Sequence, residues 1–226
     1  MKWSEFFTSS IGKKLVMSLT GIFLILFLIV HVGLNACIWA NDGGEMFNKA
    51  AHFMGANVVP RILEIGLFAG FLLHIIQGFA LEFQNRAKRK QGYAVAMGNK
   101  GSKWYSRSMG LLGTLILLFL IMHIAHFWVP SRITGLPEAA YNPNHHDLFS
   151  EMVKVFEGNL LVVILYVLGC ISLAWHLLHG FQSAFRTLGL TNHKYIGMIS
   201  ALGTGFSIIV PLAFAMMPIS FYAGWV

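Results

Sequence analysis

The sequence predicts an all-α fold, a bundle of five transmembrane helices, and three observations carry that prediction. Of the 226 residues, 56% are hydrophobic and only 11% charged, where a soluble domain carries about a quarter charged residues. The apolar residues fall into five runs, each near the roughly 20 residues that a helix needs to cross the hydrocarbon core. The basic residues gather at alternate ends of those runs, as the positive-inside rule requires.

The runs cover about 14–39, 59–83, 108–129, 159–185 and 196–217, and 1–226 reads as a single integral membrane domain. Trp39, Trp104, Tyr105, Trp128 and Trp225 lie near the ends of the runs, where amphipathic rings favour the membrane interface. Pro60 stands at the start of the second span, where its missing N–H costs little. Pro211 lies late in the fifth, a position for a kink. The segment from Met1 to Ser10 lacks the layout of a cleavable signal, and the first run is too long for a signal core, so it is expected to remain as a helix.

With the N-terminus inside, twelve of the sixteen basic residues face the cytoplasm: Lys2, Lys13, Lys14, Arg86, Lys88, Arg89, Lys90, Lys100, Lys103, Arg107, Arg186 and Lys194. Only Lys49, Arg61, Arg132 and Lys154 fall outside, with most of the acids. The expected topology is N-in and C-out. The net charge of +7 is then a cytoplasmic ring facing the lipid bilayer, with no nucleic acid as partner; it sets topology and meets anionic lipid. The inner loop 84–107 is long enough to receive a soluble partner as well. Cys37 and Cys170 both sit in apolar runs and read as packing residues, since a disulfide framework needs more cysteines.

Ionisable residues inside spans are costly and are functional candidates by default. Six histidines qualify, His31, His74, His123, His126, His176 and His179, spread over four spans. A rise of about 1.5 Å per residue puts His31 about 25 Å above Lys14 and His123 about 24 Å above Arg107. By the same rise, His74 lies about 18 Å above Arg86 and His176 about 15 Å above Arg186. The first and third spans thus supply a histidine near the outer side, and the second and fourth supply one nearer the cytoplasm. Two levels of paired imidazoles suit two b-type haems stacked in a four-helix core, each iron taking a nitrogen on both axial faces. There is no C-x-x-C-H motif for thioether attachment.

In the second and fourth spans a glycine follows four residues later, in His74-Ile-Ile-Gln-Gly78 and His176-Leu-Leu-His-Gly180. Position i+4 shares the histidine's face, so the missing side chain leaves room for a porphyrin, although glycine also serves close helix packing. The repeat selects His176 over His179. On the third span, depth alone prefers His123 to His126 only slightly.

Several stretches resemble the single-subunit, two-haem cytochrome b anchors of succinate dehydrogenase and quinol:fumarate reductase. They are Ser9-Ser-Ile-Gly-Lys-Lys-Leu15, His31-Val-Gly-Leu-Asn35, Phe47-Asn-Lys-Ala-Ala-His-Phe-Met54, Leu63-Glu64-Ile65, the two His-x-x-x-Gly motifs, and Gly189 thirteen residues beyond His176. The Phe47–Met54 block is the most specific, because nothing about packing demands it. The resemblance implies His31 with His123 on the outer haem and His74 with His176 on the cytoplasmic one, and so supports His123 over His126. It also implies a flavoprotein carrying FAD and an iron–sulfur subunit docked on the cytoplasmic face of a bacterial inner (cytoplasmic) membrane. Succinate chemistry then takes place in the flavoprotein, and the anchor exchanges electrons with menaquinone, in the succinate-oxidising or the fumarate-reducing direction. Some fumarate reductases of this kind carry a membrane glutamate just before the fourth-span histidine. Here the stretch reads Leu173-Ala-Trp-His176, and the resemblance does not extend to a proton route there.

Quinone chemistry needs proton-exchanging groups near a haem edge. The candidates are Glu64, His52, Asn35 and His126; the alternative roles are a Glu64–Arg61 pair and a loop fixed by His52. Lys14, Arg107 and Arg186 stand at span ends suited to haem propionates. Two rivals remain at this point: a cytochrome b subunit of another respiratory dehydrogenase, and a proton-coupled transporter. Inverted repeats and broken helices would mark the latter, and neither is evident in the sequence.

Overall fold

The computed structural model describes residues 9–88, 103–190 and 192–226. The inner basic residues Lys2, Arg89, Lys90 and Lys100, and the middle of the loop 84–107, lie outside the described residues.

The elements are α1 (Ser10–Asn35), continued by a 3-10 turn (Ala36–Ala40), α2 (Glu45–Ala56), α3 (Val58–Lys88), α4 (Trp104–Arg107) and α5 (Met109–His123). Two π turns (Ile124–Trp128 and Pro130–Thr134) prolong α5, and a small hairpin, β1 (Glu138–Ala139) with β2 (Asn142–His146), follows them. The chain closes with α6 (Leu148–Phe156), α7 (Leu160–Thr187) and α8 (His193–Tyr222). Five helices are long and apolar enough to cross a membrane: Ser10–Ala40, Val58–Lys88, Met109–Thr134, Leu160–Thr187 and His193–Tyr222. The chain is a multi-pass membrane protein.

The first, second and fifth of these helices outrun the expected spans most, because helical hydrogen bonding continues beyond the apolar runs through 10–13, 84–88 and 218–222. Side chains close the helix starts. Ser9 accepts from the Gly12 N–H at 3.0 Å, Asn159 from Val162 at 3.4 Å and Asn192 from Lys194 at 2.9 Å, each satisfying a donor left open in the first turn. Pro60 lies buried in the first turn of α3, and α8 runs on through Pro211 and Pro218, both buried.

Helices α1, α3, α5 and α7 form a closed ring in which α1 packs on α3, α3 on α5, α5 on α7 and α7 on α1, while α8 packs chiefly on α7. Consequently α1 and α5 stand diagonally across the ring, as do α3 and α7. A buried hydrogen bond from Ser18 Oγ to the Ala184 carbonyl at 2.7 Å ties α1 to α7. Beyond the other end of α1, Trp39 Nε1 donates to Ser220 Oγ of α8 at 2.9 Å.

The two ends of the bundle differ. Lys13, Lys14, Arg86, Lys88, Lys103, Arg107, Arg186 and Lys194 mark a basic end. The opposite end is capped by α2, the hairpin and α6 over a buried cluster of Ile38, Phe47, Met152, Phe156, Val163, Tyr166, Met217 and Phe221. The Phe47–Met54 block does have a packing reason. Phe47 is buried in that cluster, and buried Asn48 donates to Asp147 Oδ1 at 2.9 Å and accepts from the Phe149 N–H at 3.0 Å. This fastens α2 to α6, a long-range contact that a local pattern does not reveal. Outward-facing Leu72, Ile76, Leu118, Ile121, Leu161 and Ile209 are largely exposed, an apolar surface that only lipid solvates well.

Candidate cofactor site

The two diagonals of the ring are bridged by histidine. His31 of α1 and His123 of α5 bring their ring centres to 5.8 Å with planes at 88°. His74 of α3 and His176 of α7 do the same at 6.2 Å and 63°. Diagonal helices are too far apart for backbone packing, so long side chains projecting inward from each must meet. Two imidazoles sharing one metal ion each hold a ring nitrogen at about 2 Å from it, which sets their ring centres about 6 Å apart. Both pairs fit that separation.

Two further observations concern the surroundings of the rings. His123 Nδ1, His176 Nδ1 and Gln77 Oε1 are buried side-chain atoms without a hydrogen-bond partner, and buried polar atoms in native proteins are as a rule partnered. A Cβ added at Gly180 meets nothing within 4 Å, whereas one at Gly78 meets the Met17 methyl at 3.5 Å. Space lies beside His176 where the His-x-x-x-Gly spacing expects it; beside His74 the Met17 methyl occupies the corresponding position.

The other imidazole of each pair is held by neighbouring polar side chains. Thr20 Oγ1 lies 3.2 Å from His74 Nδ1. Asn35 donates from Nδ2 to the His31 carbonyl at 2.8 Å, and the same nitrogen stands 3.3 Å from His31 Nδ1. Around His31 and His123 the wall is aromatic: Phe27 stacks on His31 at 5.0 Å, Phe214 leans on it at 5.4 Å, and Phe119 stacks on His123 at 5.6 Å.

His126 takes a different direction from His123. The π turn begins directly after His123, and its wider winding disrupts the i+3 alignment that an α-helix would keep. His126 Nδ1 lies 2.9 Å from the Tyr166 hydroxyl, with the two rings nearly parallel. On α7, His179 lines a cavity of about 450 Å³ at the basic end with Lys14, Gln182, Ser183 and Arg186, a cavity that His176 does not reach. Two of the three proposed propionate partners, Lys14 and Arg186, thus share one cavity. Arg107, at the end of α4, is not part of its lining.

Glu64 is the hub of a cluster at the capped end. Its carboxylate accepts from Arg61 at 2.7 Å, from Trp128 Nε1 at 2.6 Å and from Arg132 Nε at 3.2 Å. His52 stacks on His145 at 4.0 Å, and the Tyr141 hydroxyl lies 3.0 Å from His145 Nδ1, so His52 packs α2 against the hairpin. Trp175, at the position before His176, packs on Trp104 at 4.9 Å and on Tyr105 at 5.4 Å.

Sequence reasoning missed the parts played by Thr20, Gln77, Tyr166 and Trp128. For Thr20 and Gln77 the available signal is a polar side chain inside an apolar run, with Gln77 lying between His74 and Gly78. Tyr166 and Trp128 look like ordinary core or interface aromatics until the fold brings them to His126 and Glu64.

Among known proteins, the chain is 28% identical over 188 residues to the succinate dehydrogenase cytochrome b558 subunit of Bacillus subtilis (strain 168), an alignment covering 83% of this chain and 82% of that one. No family model matches the chain, and no solved structure does. Over most of its length, then, the chain is similar to a cytochrome b subunit of succinate dehydrogenase, in keeping with the motifs of its sequence.

Proposed function

We propose that the chain is the two-haem cytochrome b membrane anchor of a succinate:quinone oxidoreductase. In this reading it links a cytoplasmic flavoprotein and iron–sulfur subunit to menaquinone in the membrane. The observation that carries the reading is the pair of histidine bridges across the two diagonals, with ring centres 5.8 and 6.2 Å apart. The name of the Bacillus subtilis relative supports it.

His31 with His123, and His74 with His176, are the residues that would hold the two haems, which when bound supply one-electron carriers at two depths. Neutral imidazoles on opposite helices offer a lone pair each to the space between them. Lys14 and Arg186, sharing the cavity at the basic end, supply positive charge for carboxylates reaching it. At the capped end Glu64 accepts three charged or polar donors, and His126 Nδ1 lies within hydrogen-bond distance of the Tyr166 hydroxyl. These are the groups that would exchange protons with a quinone there, while Asn35 steadies His31.

Single alanine substitutions test the assignment, with haem counted by absorption spectroscopy on the purified complex. His74→Ala and His176→Ala should each remove the same haem, and His31→Ala and His123→Ala the other. Loss of one common haem from His74→Ala and His31→Ala would contradict the pairing.

A further inference from the structure

The two histidines at the lower level are not held alike. His176 Nδ1 is buried without a partner, whereas His74 Nδ1 lies 3.2 Å from Thr20 Oγ1 of the adjacent helix α1. The Thr20 hydroxyl has one hydrogen, and it is already directed at its own helix: Oγ1 stands 2.8 Å from the Val16 carbonyl and 3.2 Å from that of Met17. With that hydrogen on the shorter contact, to Val16, the oxygen offers His74 a lone pair and accepts from it. This makes Nδ1 the protonated nitrogen of His74 and leaves Nε2 with its lone pair free. The ring lies against α1 beside Gly21, the next residue, where a Cβ would stand at an ordinary contact distance of 3.6 Å from His74 Cε1.

We infer that Thr20 is a positioning residue that fixes the tautomer and orientation of His74 and, through it, tunes the haem held by His74 and His176. The inference rests on the haem reading given above. A ring N–H donated to a fixed acceptor makes the other nitrogen a stronger donor to a metal. A stronger axial donor favours the oxidised iron, and hydrogen bonding around the ligands is one of the levers that set haem potential. Thr20 therefore holds the potential of that haem below the value it would have without the hydroxyl.

The test is a redox titration of both haems in the purified complex, comparing wild type with Thr20→Val, which keeps the shape, and Thr20→Ser, which keeps the hydroxyl. Thr20→Val should raise the potential of the haem lost in His74→Ala. At a fixed applied potential its oxidised-to-reduced ratio should fall about threefold, equivalent to about 30 mV at about 59 mV per tenfold for one electron. The other haem should not move, and Thr20→Ser should keep the wild-type value. Loss of that haem in Thr20→Val but not in Thr20→Ser would support the same role. Two haems at unchanged potentials in Thr20→Val would overturn it, as would equal effects of both variants. A wild-type complex without haem would instead sink the haem reading itself.

Discussion

A histidine inside an apolar helix must find something for its two ring nitrogens, and the six span histidines find three kinds of answer. His31, His74, His123 and His176 meet across the bundle, His126 turns to Tyr166, and His179 faces a cavity with Lys14 and Arg186. His179→Ala should therefore leave both haems in place, and a haem count below two per chain in that variant would reassign the fourth-span ligand. His31, His74, His123 and His176 were legible in the sequence because ionisable residues in four separate spans have no common packing explanation. The distinction between His123 and His126 was barely legible, because it depends on a π turn that begins between them and that no residue pattern announces. Glu64 was legible as an acid within reach of Arg61. Its contacts with Trp128 and Arg132 join residues 64 and 68 positions apart and appear only in the folded chain.

Among the elements, α5 and α7 approach closely at Gly169. A Cβ there would stand 2.5 Å from Phe119 Cδ2 and 2.7 Å from Phe119 Cγ, and Phe119 stacks on His123. Gly169→Ala should destabilise the protein by about 1–3 kcal/mol, the usual range for overpacking, and should disturb the upper haem more than the lower. Thermal unfolding in detergent and the two reduced haem spectra check both parts. The cap of α2 on α6 offers a second case. Asn48→Ala removes both hydrogen bonds that join them and should cost about 1–3 kcal/mol in the same unfolding measurement, the range for an unpaired buried partner.

Asp147, in the same contact, also gives the cap a pH dependence. Burial raises its pKa, but hydrogen bonds from Ser150 and Asn48 outweigh burial and hold the carboxyl below the usual aspartate value. A group with a depressed folded pKa stabilises fully above its unfolded value, about pH 4, and loses that contribution as pH falls through the lowered value. Hydrogen-exchange protection in α6 should fall on acidification below about pH 4, and the loss should shrink in Asp147→Asn. The five spans were legible from length and hydropathy alone. The cap helices and hairpin were not, since their residues are mixed in polarity and gain their order from contacts with distant segments.

At the scale of the whole molecule, the buried apolar cluster sits at the capped end, while the ring's diagonals meet through imidazoles rather than aliphatic packing. A ligand that binds only the folded chain stabilises it by mass action. Protein produced under haem depletion should accordingly unfold at a lower temperature in detergent than the haem-replete form, and equal midpoints would contradict a haem-filled core. The charge asymmetry is a property of the same scale. Eight of the twelve described basic residues mark one end, the end at which a cytoplasmic partner is expected. The expected orientation rests on the sequence alone, because insertion responds to the basic residues of each loop, not to folded contacts.

Two haems on two histidine pairs are the centre of the proposed function, and a reduced-minus-oxidised absorption spectrum of the purified protein with a haem-to-chain count tests them most directly. The expected result is b-type bands and two haems per chain; a colourless protein, or one haem per chain, would contradict it.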